Sequence, residues 1–448
     1  MSDPAADAAP HPERAAGSAR PPDALGGHLP ALDGVRGLAI LMVLLYHFIG
    51  QATVTNRFEG VVSRLLSFGF LGVDLFFVLS GFLITGILYD SRNDPAYFRS
   101  FYMRRVLRIF PLYYGVLVVV FFVAPLIPRL HGSPIDHLRE HQAWAWLYAV
   151  NIYLSMKGAW SLSYIQHFWS LAVEEHFYFV WPLVVWLLAR RPRVLMGTAL
   201  GIAALSFVGR AAASLAGVSE VVTTVLTPFQ LDALCLGGFF AVYLRQPGGE
   251  AGARRAILPM GLLAAAVLVF QFGLHRFTDF GVPFMRATRL GVFRVLFAAL
   301  LLHALFSPAS ALAGHFFRSR PMIALGKYSY GLYLYHHFLS YYFVTHGTEF
   351  AVAEAVGSHT LAVAVQALAG MAASMVVAWL SFELFEKYFL RLKRFWPSAP
   401  RAGARGSHGK EPARPPSPPA ATLPIPHGGG PPTHPEAPRP RGARRARS

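Results

Sequence analysis

The sequence predicts an all-α, polytopic membrane protein with about ten transmembrane helices and a disordered tail at each end. Of its 448 residues, 54% are hydrophobic and only 14% are charged, whereas about a quarter of the residues are charged in an ordinary soluble domain. The apolar residues collect in long runs, and lysine and arginine collect between alternate runs. These observations exclude a water-soluble globular enzyme.

Ten apolar segments have roughly the 17–25 residues that a helix needs to cross a hydrocarbon core of about 30 Å. The first segment follows a polar stretch and has no A-x-A cleavage site, so we expect it to remain as a span. The ten segments lie near 33–50, 68–89, 110–127, 168–189, 194–215, 228–245, 256–274, 289–306, 322–345 and 361–388.

Basic residues decide the orientation, because positively charged loops remain in the cytoplasm. With ten spans and a cytoplasmic N-terminus, the basic clusters within 92–108, 190–193, 245–255, 318–320 and 391–394 all fall inside. A span at 140–155 would invert everything after it, so we interpret this stretch as a re-entrant or interfacial piece of a long outer loop, 128–167. The outer loop 275–288, with Arg276 and Arg286, fits this orientation poorly.

The membrane domain is expected to cover 31–390. The flanking stretches 1–30 and 391–448 are rich in Pro, Gly and Ala, a composition that buries too little apolar area to offset chain entropy. Much of the net charge of +17 lies in the second tail, which holds twelve Lys/Arg and two Glu. We expect this tail to be attracted to anionic lipid rather than to nucleic acid. The single cysteine, Cys235, excludes a disulfide framework.

Ionisable side chains at bilayer depth are energetically expensive, so each is a candidate for function. Arg36 and His47 lie eleven residues apart on the first span, which is about three helical turns and about 16 Å along one face. On the predicted topology, His47 lies in the outer half of the membrane. Other spans place further titratable groups at a similar depth, namely Asp74, Glu174 with Glu175, Asp232, and His336 with His337.

An imidazole beside a carboxylate is the usual apparatus of general base catalysis, because the carboxylate fixes the tautomer and stabilises the imidazolium. We predict that His47 is the base and that Glu174 or Glu175 orients it. Adjacent residues point about 100° apart on a helix, so at most one of the two glutamates is expected to face His47 directly. Ion-pair or proton-relay roles stay open for both. The remaining groups are assigned to substrate binding or structural support: Asp74, Asp232 and His336.

A basic segment, PAYFRSFYMRRVLRIFP, leads into the third span and is typical of an interfacial amphipathic helix. Its arginines are either a lipid-headgroup anchor or a phosphate clamp, since guanidinium forks match phosphate oxygens. We favour the clamp, whose members would be Arg36, Arg104, Arg105 and Arg108. No HExxH or comparable metal-ligand spacing stands out, and we predict no metal site.

Five blocks of sequence carry a resemblance to a known family. They are LDGVRGLAILMVLLYH, FLGVDLFFVLSGFLIT, FYMRRVLRIFPLYY, HFWSLAVEEHFYFVWPL and LGKYSYGLYLYHH. Together they cover about residues 30–390, and they resemble the acyltransferase-3 family of integral membrane acyltransferases, which includes polysaccharide and O-antigen acetylases. The resemblance implies a ten-helix domain that moves an acyl group, commonly acetyl, from cytoplasmic acyl-CoA to a hydroxyl of a carbohydrate, glycolipid or small metabolite.

The resemblance also points to particular residues. It implies a catalytic His47 together with Arg36 in the first block, and functional roles for a set in later blocks: Arg104, Arg105, Arg108, Glu174 and Glu175. Many relatives carry an extracytoplasmic SGNH-type domain after the membrane part, whereas a Pro-rich tail occupies that position here, and no such domain is expected. The expected location is a bacterial inner membrane with both termini in the cytoplasm.

Two other classes of function compete with this interpretation. A transporter or lipid-linked glycan flippase would use the buried acids as a proton relay, but the two halves of the chain do not match as inverted repeats. A non-catalytic membrane scaffold would not need so many buried ionisable groups. The acyltransferase is therefore the leading hypothesis, while the acceptor and the acyl chain length stay open.

Overall fold

The computed structural model describes residues 29–127, 133–277 and 281–397, and these residues fold as helices joined by turns, without a β-strand. In chain order the α-helices are α1 Pro30–Leu45, α2 Arg57–Leu66, α3 Gly72–Asp90, α4 Tyr97–Val118, α5 Ser133–Glu140, α6 Gln142–Trp146, α7 Val150–Lys157, α8 Trp169–Leu188, α9 Pro192–Leu215, α10 Glu220–Val225, α11 Leu231–Tyr243, α12 Gly249–Phe277, α13 Gly281–Phe306, α14 Leu312–Phe317, α15 Arg320–His346, α16 Thr348–Val356, α17 His359–Ser381 and α18 Lys387–Arg391.

Each of the ten predicted segments overlaps one helix, and nine of these helices are long, so the all-α, polytopic architecture is confirmed. Eight helical stretches are long and apolar enough to cross a membrane: Pro30–Gly50, Arg57–Asp90, Tyr97–Leu126, Ser163–Leu188, Pro192–Leu215, Gly249–Gly273, Phe284–Phe306 and His359–Phe395. The other two predicted spans correspond to α11, which is shorter, and to α15, whose 27 residues are richer in polar side chains.

The centre of the bundle is held by helix pairs that approach at glycines. A Cβ on Gly81 of α3 would lie 1.8 Å from the carbonyl oxygen of Leu234, and one on Gly237 of α11 would lie 2.0 Å from that of Val78. Both distances are far below any real contact, so the two backbones touch because neither glycine has a side chain. Small residues drive such packing in membranes, where apolar contact with lipid is as favourable as contact with protein.

The outer-loop segment at 140–155 does not form a single helix. It is divided between α6 and α7, which are too short to cross a bilayer. The segment is tied to α4 by two hydroxyls, as Tyr113 donates to the carbonyl of Ala145 at 2.8 Å and Tyr114 to that of Trp146 at 3.3 Å. Neither helix is long enough for a transmembrane span, and the predicted re-entrant or interfacial position of this stretch stays a prediction.

The predicted tails fall largely outside the described residues, namely at 1–28 and 398–448. The described chain extends a little beyond the predicted boundary at 390, because Leu392–Phe395 form a short 3-10 helix. The carbonyl of Trp396 accepts a hydrogen bond from Arg104 at 3.0 Å, which fastens this end to α4. The start of the predicted second tail is thus part of the helical bundle.

Candidate active site

His47 lies on a wide helical turn. The last residues of the first span, Tyr46–Gly50, form a π-helix that continues α1, and such turns occur frequently at functional sites. The Nδ1 atom of His47 lies 2.9 Å from the carbonyl oxygen of Val43 and 3.3 Å from Nε2 of His336. The imidazole is half-buried rather than sealed from its surroundings.

These contacts fix the tautomer of both rings. Nδ1 of His336 lies 2.9 Å from the carbonyl of Leu332, and a carbonyl can only accept, so Nδ1 carries the proton and Nε2 keeps a lone pair. The Nδ1 of His47 also faces a carbonyl and therefore donates, shared between Val43 and His336. The Nε2 lone pair of His47 then remains free, which is the state that a general base requires.

His47 belongs to a histidine cluster, by which we mean His47, His167, His336 and His337. The ring centroid of His47 lies 4.9 Å from that of His336 and 5.0 Å from that of His337. The ring of His167 stacks on His337 at 4.6 Å, nearly parallel. All but His47 are deeply buried, so the cluster places a partly accessible imidazole against three that are enclosed.

Below this cluster lies a cavity of about 110 Å³ that we call the arginine cavity. It combines three arginines with two glutamates and several hydroxyls, and its polar lining residues include Arg36, Ser80, Arg105, Arg108, Ser170, Glu174, Glu175, Tyr178, Tyr330 and Tyr333. Arg105 also lies over the ring of Tyr178, 5.2 Å from its centroid. The first span, α3, α4, α8 and α15 all contribute to the walls.

The glutamates line this cavity, whereas the hydrogen-bond contacts of the His47 ring among the described residues are Val43 and His336. Glu174 lies beside the hydroxyls of Ser80 and Tyr178, which are themselves 2.5 Å apart. The helical chain that carries the glutamates begins at Ser163 as a 3-10 turn rather than at 168. His167 lies on this turn, and its ring centroid is 5.5 Å from that of His336, the residue that contacts His47.

A short hydroxyl chain separates the cavity from the histidine cluster. Tyr333 and Ser170 both line the cavity, and their hydroxyl oxygens lie 2.5 Å apart. The Tyr333 hydroxyl also lies 3.0 Å from the carbonyl of His167, and its ring centroid is 5.7 Å from that of His336. The two predicted sites, a base and a cationic clamp, are therefore neighbours on opposite sides of Tyr333.

The four predicted clamp arginines do not form one group. Arg36, Arg105 and Arg108 line the arginine cavity, and Arg36 is paired with Asp33 at 2.9 Å. Arg104 instead points to Trp396, as adjacent residues on a helix diverge by about 100°. The structure thus brings together three members of the predicted set.

Asp74 and Asp232 are held in what we call the ion-pair network, together with Arg210 and Arg294. Arg294 donates to Asp74 at 2.7 Å and also pairs with Asp232. Arg210 binds both carboxylate oxygens of Asp232, at 2.9 and 2.7 Å. Of the two roles left open for these acids, the pairing favours structural support.

Sequence reasoning missed the two arginines of this network. Arg210 and Arg294 are each 1% exposed. Both lie within apolar segments, Arg210 in GRAAAS and Arg294 in GVFRVLF. The signal was available, because an arginine at membrane depth needs an acidic partner and Asp74 and Asp232 needed cations. His167 and His337 also belong to the site, although the sequence analysis assigned a role only to His336.

Comparison with known proteins identifies the family. Residues 29–383 match a family described as "Acyltransferase domain". Peptidoglycan O-acetyltransferase OatA of Listeria monocytogenes is 29% identical over 324 residues, which cover 69% of this chain and 49% of that protein. The putative peptidoglycan O-acetyltransferase YrhL of Bacillus subtilis is 32% identical over 334 residues, which cover 69% of this chain and 48% of that protein.

A further relative, O-acetyltransferase OatA of Staphylococcus aureus, is 28% identical over 343 residues, covering 71% of this chain and 52% of that protein. The chain spans about half the length of these curated relatives. No solved structure matches it. Because the family match covers most of the sequence, the chain belongs to the acyltransferase-3 family, as the resemblance of its motifs predicted.

Proposed function

We propose that this protein is a membrane O-acyltransferase that moves an acyl group, acetyl by preference, from cytoplasmic acyl-CoA to a hydroxyl of a carbohydrate acceptor. One observation carries the proposal: an imidazole with a free Nε2 lies next to a cavity that contains three arginines, with Tyr333 between them. The family match supports the reaction class, and the relatives named as peptidoglycan O-acetyltransferases support a carbohydrate acceptor.

The arginine cavity would receive the donor. Arg105 and Arg108 form no ion pair within the described residues, so their forks are available to phosphate oxygens. Arg36 would add a third cation, whereas Arg104 would contribute little because it is bound to a backbone carbonyl. On the orientation that the basic loops predict, this cavity would face the cytoplasm, where acyl-CoA is found.

Glu174 and Glu175 would then serve the cavity rather than His47. In the absence of a ligand, their carboxylates offset the charge of three neighbouring arginines, and the Ser80 and Tyr178 hydroxyls hold Glu174 in place. An incoming phosphate would take over the guanidinium contacts. This assigns the two glutamates to donor binding, whereas the sequence analysis assigned them to orientation of the base.

The reaction would proceed at Nε2 of His47. The base takes the proton of the acceptor hydroxyl, the C–O bond forms, the C–S bond of the thioester breaks, and the proton ends on the thiolate of CoA. His336 would hold the Nδ1 proton of His47 and thereby stabilise the imidazolium. The carbohydrate would approach from the side of the membrane opposite to CoA, in a bacterial inner membrane with both termini inside.

The test is acyl transfer in membrane vesicles that contain the full chain. Vesicles are given acetyl-CoA carrying an isotopic label, and label is followed into extracted glycans by mass spectrometry. We expect His47→Ala to lower the rate by about 10²–10⁴-fold, the usual contribution of a general base. His346→Ala, an exposed histidine at the end of α15, is the matched control and should retain full activity.

Two results would contradict the proposal. One is undiminished acyl transfer by folded His47→Ala protein. The other is a flux driven by a proton gradient, without acyl-CoA, in proteoliposomes of the wild-type chain, which would favour the transporter interpretation. Comparison of surface polysaccharides and small metabolites from cells with and without the gene would identify the acceptor by a missing acyl mass increment.

A further inference from the structure

A second group of ligand-type side chains lies in the outer-loop segment, away from the arginine cavity and the histidine cluster. It consists of His137, Glu140 and His141, whose ligand atoms all lie within 4.8 Å of one another. We infer that these three side chains form a binding site for a zinc ion. The spacing here is HxxEH rather than HExxH, since the glutamate directly precedes the second histidine.

The backbone puts the three ligands on one side of a helical turn. Residues three and four apart on a helix are neighbours, with Cβ atoms about 5–6 Å apart, and His137, Glu140 and His141 have this spacing at the end of α5. Zinc binds imidazole nitrogen at about 2.0–2.1 Å in a tetrahedral arrangement, which puts bound ligand atoms about 3.4 Å apart. Rotation of side chains that already lie within 4.8 Å would close this difference.

The orientation of His141 is already set. Its Nδ1 lies 3.0 Å from the backbone carbonyl of His137, so Nδ1 carries the proton and Nε2 keeps the lone pair that a metal needs. Histidine ligands in metal sites usually donate their other ring N–H to such a carbonyl. The ring centroids of His137 and His141 lie 4.5 Å apart, so the two imidazoles are already adjacent.

A buried hydroxyl next to the cluster provides an independent sign of a missing ligand. Tyr153 of α7 is only 3% exposed, and its hydroxyl has no hydrogen-bond partner among the described residues. Its ring lies 4.9 Å from that of His141, and the hydroxyl is within electrostatic reach of Glu140. Buried hydroxyls are normally satisfied, and a water on a zinc ion held by three protein ligands would satisfy this one.

Access and chemistry both favour a divalent transition metal. His137 and His141 are half-buried and Glu140 is exposed, so an ion can enter from solvent. Two imidazoles and one carboxylate suit zinc, whereas magnesium and calcium prefer oxygen ligands alone. The bound ion would fix the end of α5 against Tyr153 of α7, which stabilises the outer loop without taking part in acyl transfer.

The inference is tested on the full chain, purified in detergent with an affinity tag that contains no histidine and freed of metal by a chelator. Zinc is titrated in competition with a chromophoric chelator. We expect one equivalent to bind to the wild-type protein and the affinity to fall by more than about 100-fold in the double variant His137→Ala and His141→Ala, because even outer partners of a metal contribute about 10–100-fold. Glu140→Gln should weaken binding less.

The matched control is the double variant His315→Ala and His346→Ala, which removes two exposed histidines elsewhere and should bind zinc like the wild type. Thermal unfolding provides a second readout. Zinc should raise the unfolding midpoint of the wild type but not of the His137 and His141 double variant, and the metal-free midpoints of the two should agree. Unchanged stoichiometry and affinity in that variant, or no zinc binding by the wild type, would overturn the inference.

Discussion

The ion-pair network and the arginine cavity both hold charged side chains within the helical bundle, but their charges are balanced differently. In the network, two carboxylates face two guanidiniums, and each carboxylate is bound by an arginine at hydrogen-bond distance. In the cavity, three arginines face two glutamates around open space, and Arg105 and Arg108 have no ion-pair partner within the described residues.

This difference shows what distinguishes a structural charge from a functional one in this bundle. Burial of a charged side chain costs free energy in both the network and the cavity. In the network every charge already has an opposite charge as its partner, so a bound ligand would add no further stabilisation. A cluster whose arginines have no ion-pair partner at hydrogen-bond distance gains such contacts when an anion arrives. Loss of a residue should therefore reduce folding in the network and reduce donor binding in the cavity.

The largest effect is expected from the network. Arg294→Met leaves Asp74 without its arginine and should destabilise the protein by about 3–5 kcal/mol, the usual result of removing one partner of a buried pair. The measurement is denaturant unfolding in detergent, together with the yield of folded protein. Arg294→Met combined with Asp74→Asn should recover part of the loss, because Asp232 keeps its pairing with Arg210; no recovery would mean that the arginine acts by packing alone.

In the cavity, Arg105→Ala should raise the KM for acyl-CoA by about 10–100-fold, because hydrogen bonds to charged groups contribute about 1.5–3 kcal/mol. Stability should change little, since the residue has no ion-pair partner to strand. The measurement is steady-state transfer with acyl-CoA varied, beside an unfolding curve. A fall in stability comparable to that of Arg294→Met would remove the distinction between the two clusters.

The histidine cluster offers an intermediate case, in which one imidazole positions another. His336→Phe removes one of the two acceptors for the Nδ1 proton of His47, leaves the Val43 carbonyl, and keeps a ring of similar size. We expect kcat to fall by about 10-fold, which corresponds to one hydrogen bond, while the KM for acyl-CoA stays unchanged. An equal change in KM would mean that His336 acts on the donor rather than on the base.

The smallest effect is expected from Arg104, the neighbour of Arg105. Arg104→Ala removes a hydrogen bond to the carbonyl of Trp396 on the bundle periphery, and the KM for acyl-CoA should change by less than about twofold because Arg104 does not line the cavity. The measurement is the same titration as for Arg105→Ala. An effect as large as that of Arg105 would restore the four-arginine clamp that the sequence predicted.

The helices were predictable because span length and apolarity follow directly from bilayer thickness. Each predicted segment matches a helix, including α11, which falls below the length of a complete span. The identity of the polar residues was predictable as well, since charge within an apolar run is conspicuous. His47, Asp74 and Glu174 were all selected on this ground.

The contacts between the site residues were harder to predict than the residues themselves. Depth along a helix follows from a residue count, but the count fails where the helix type changes. The helical chain before Trp169 is a 3-10 turn, and His167 on this turn packs against His336 within the histidine cluster. The choice of His336 as the contact of His47 depends on how α1 and α15 pack, which involves residues far apart in sequence.

The π-helix at Tyr46–Gly50 has a consequence for how the first motif tolerates change. The eleven-residue interval from Arg36 to His47 is counted partly on a turn that holds one residue more than an α-turn. Deleting one residue from this turn would let the helix close into a regular α-helix and leave nearly every apolar contact intact. His47 would nevertheless face a different neighbour. The interval between Arg36 and His47 therefore has its functional effect only if the wide π-turn is kept.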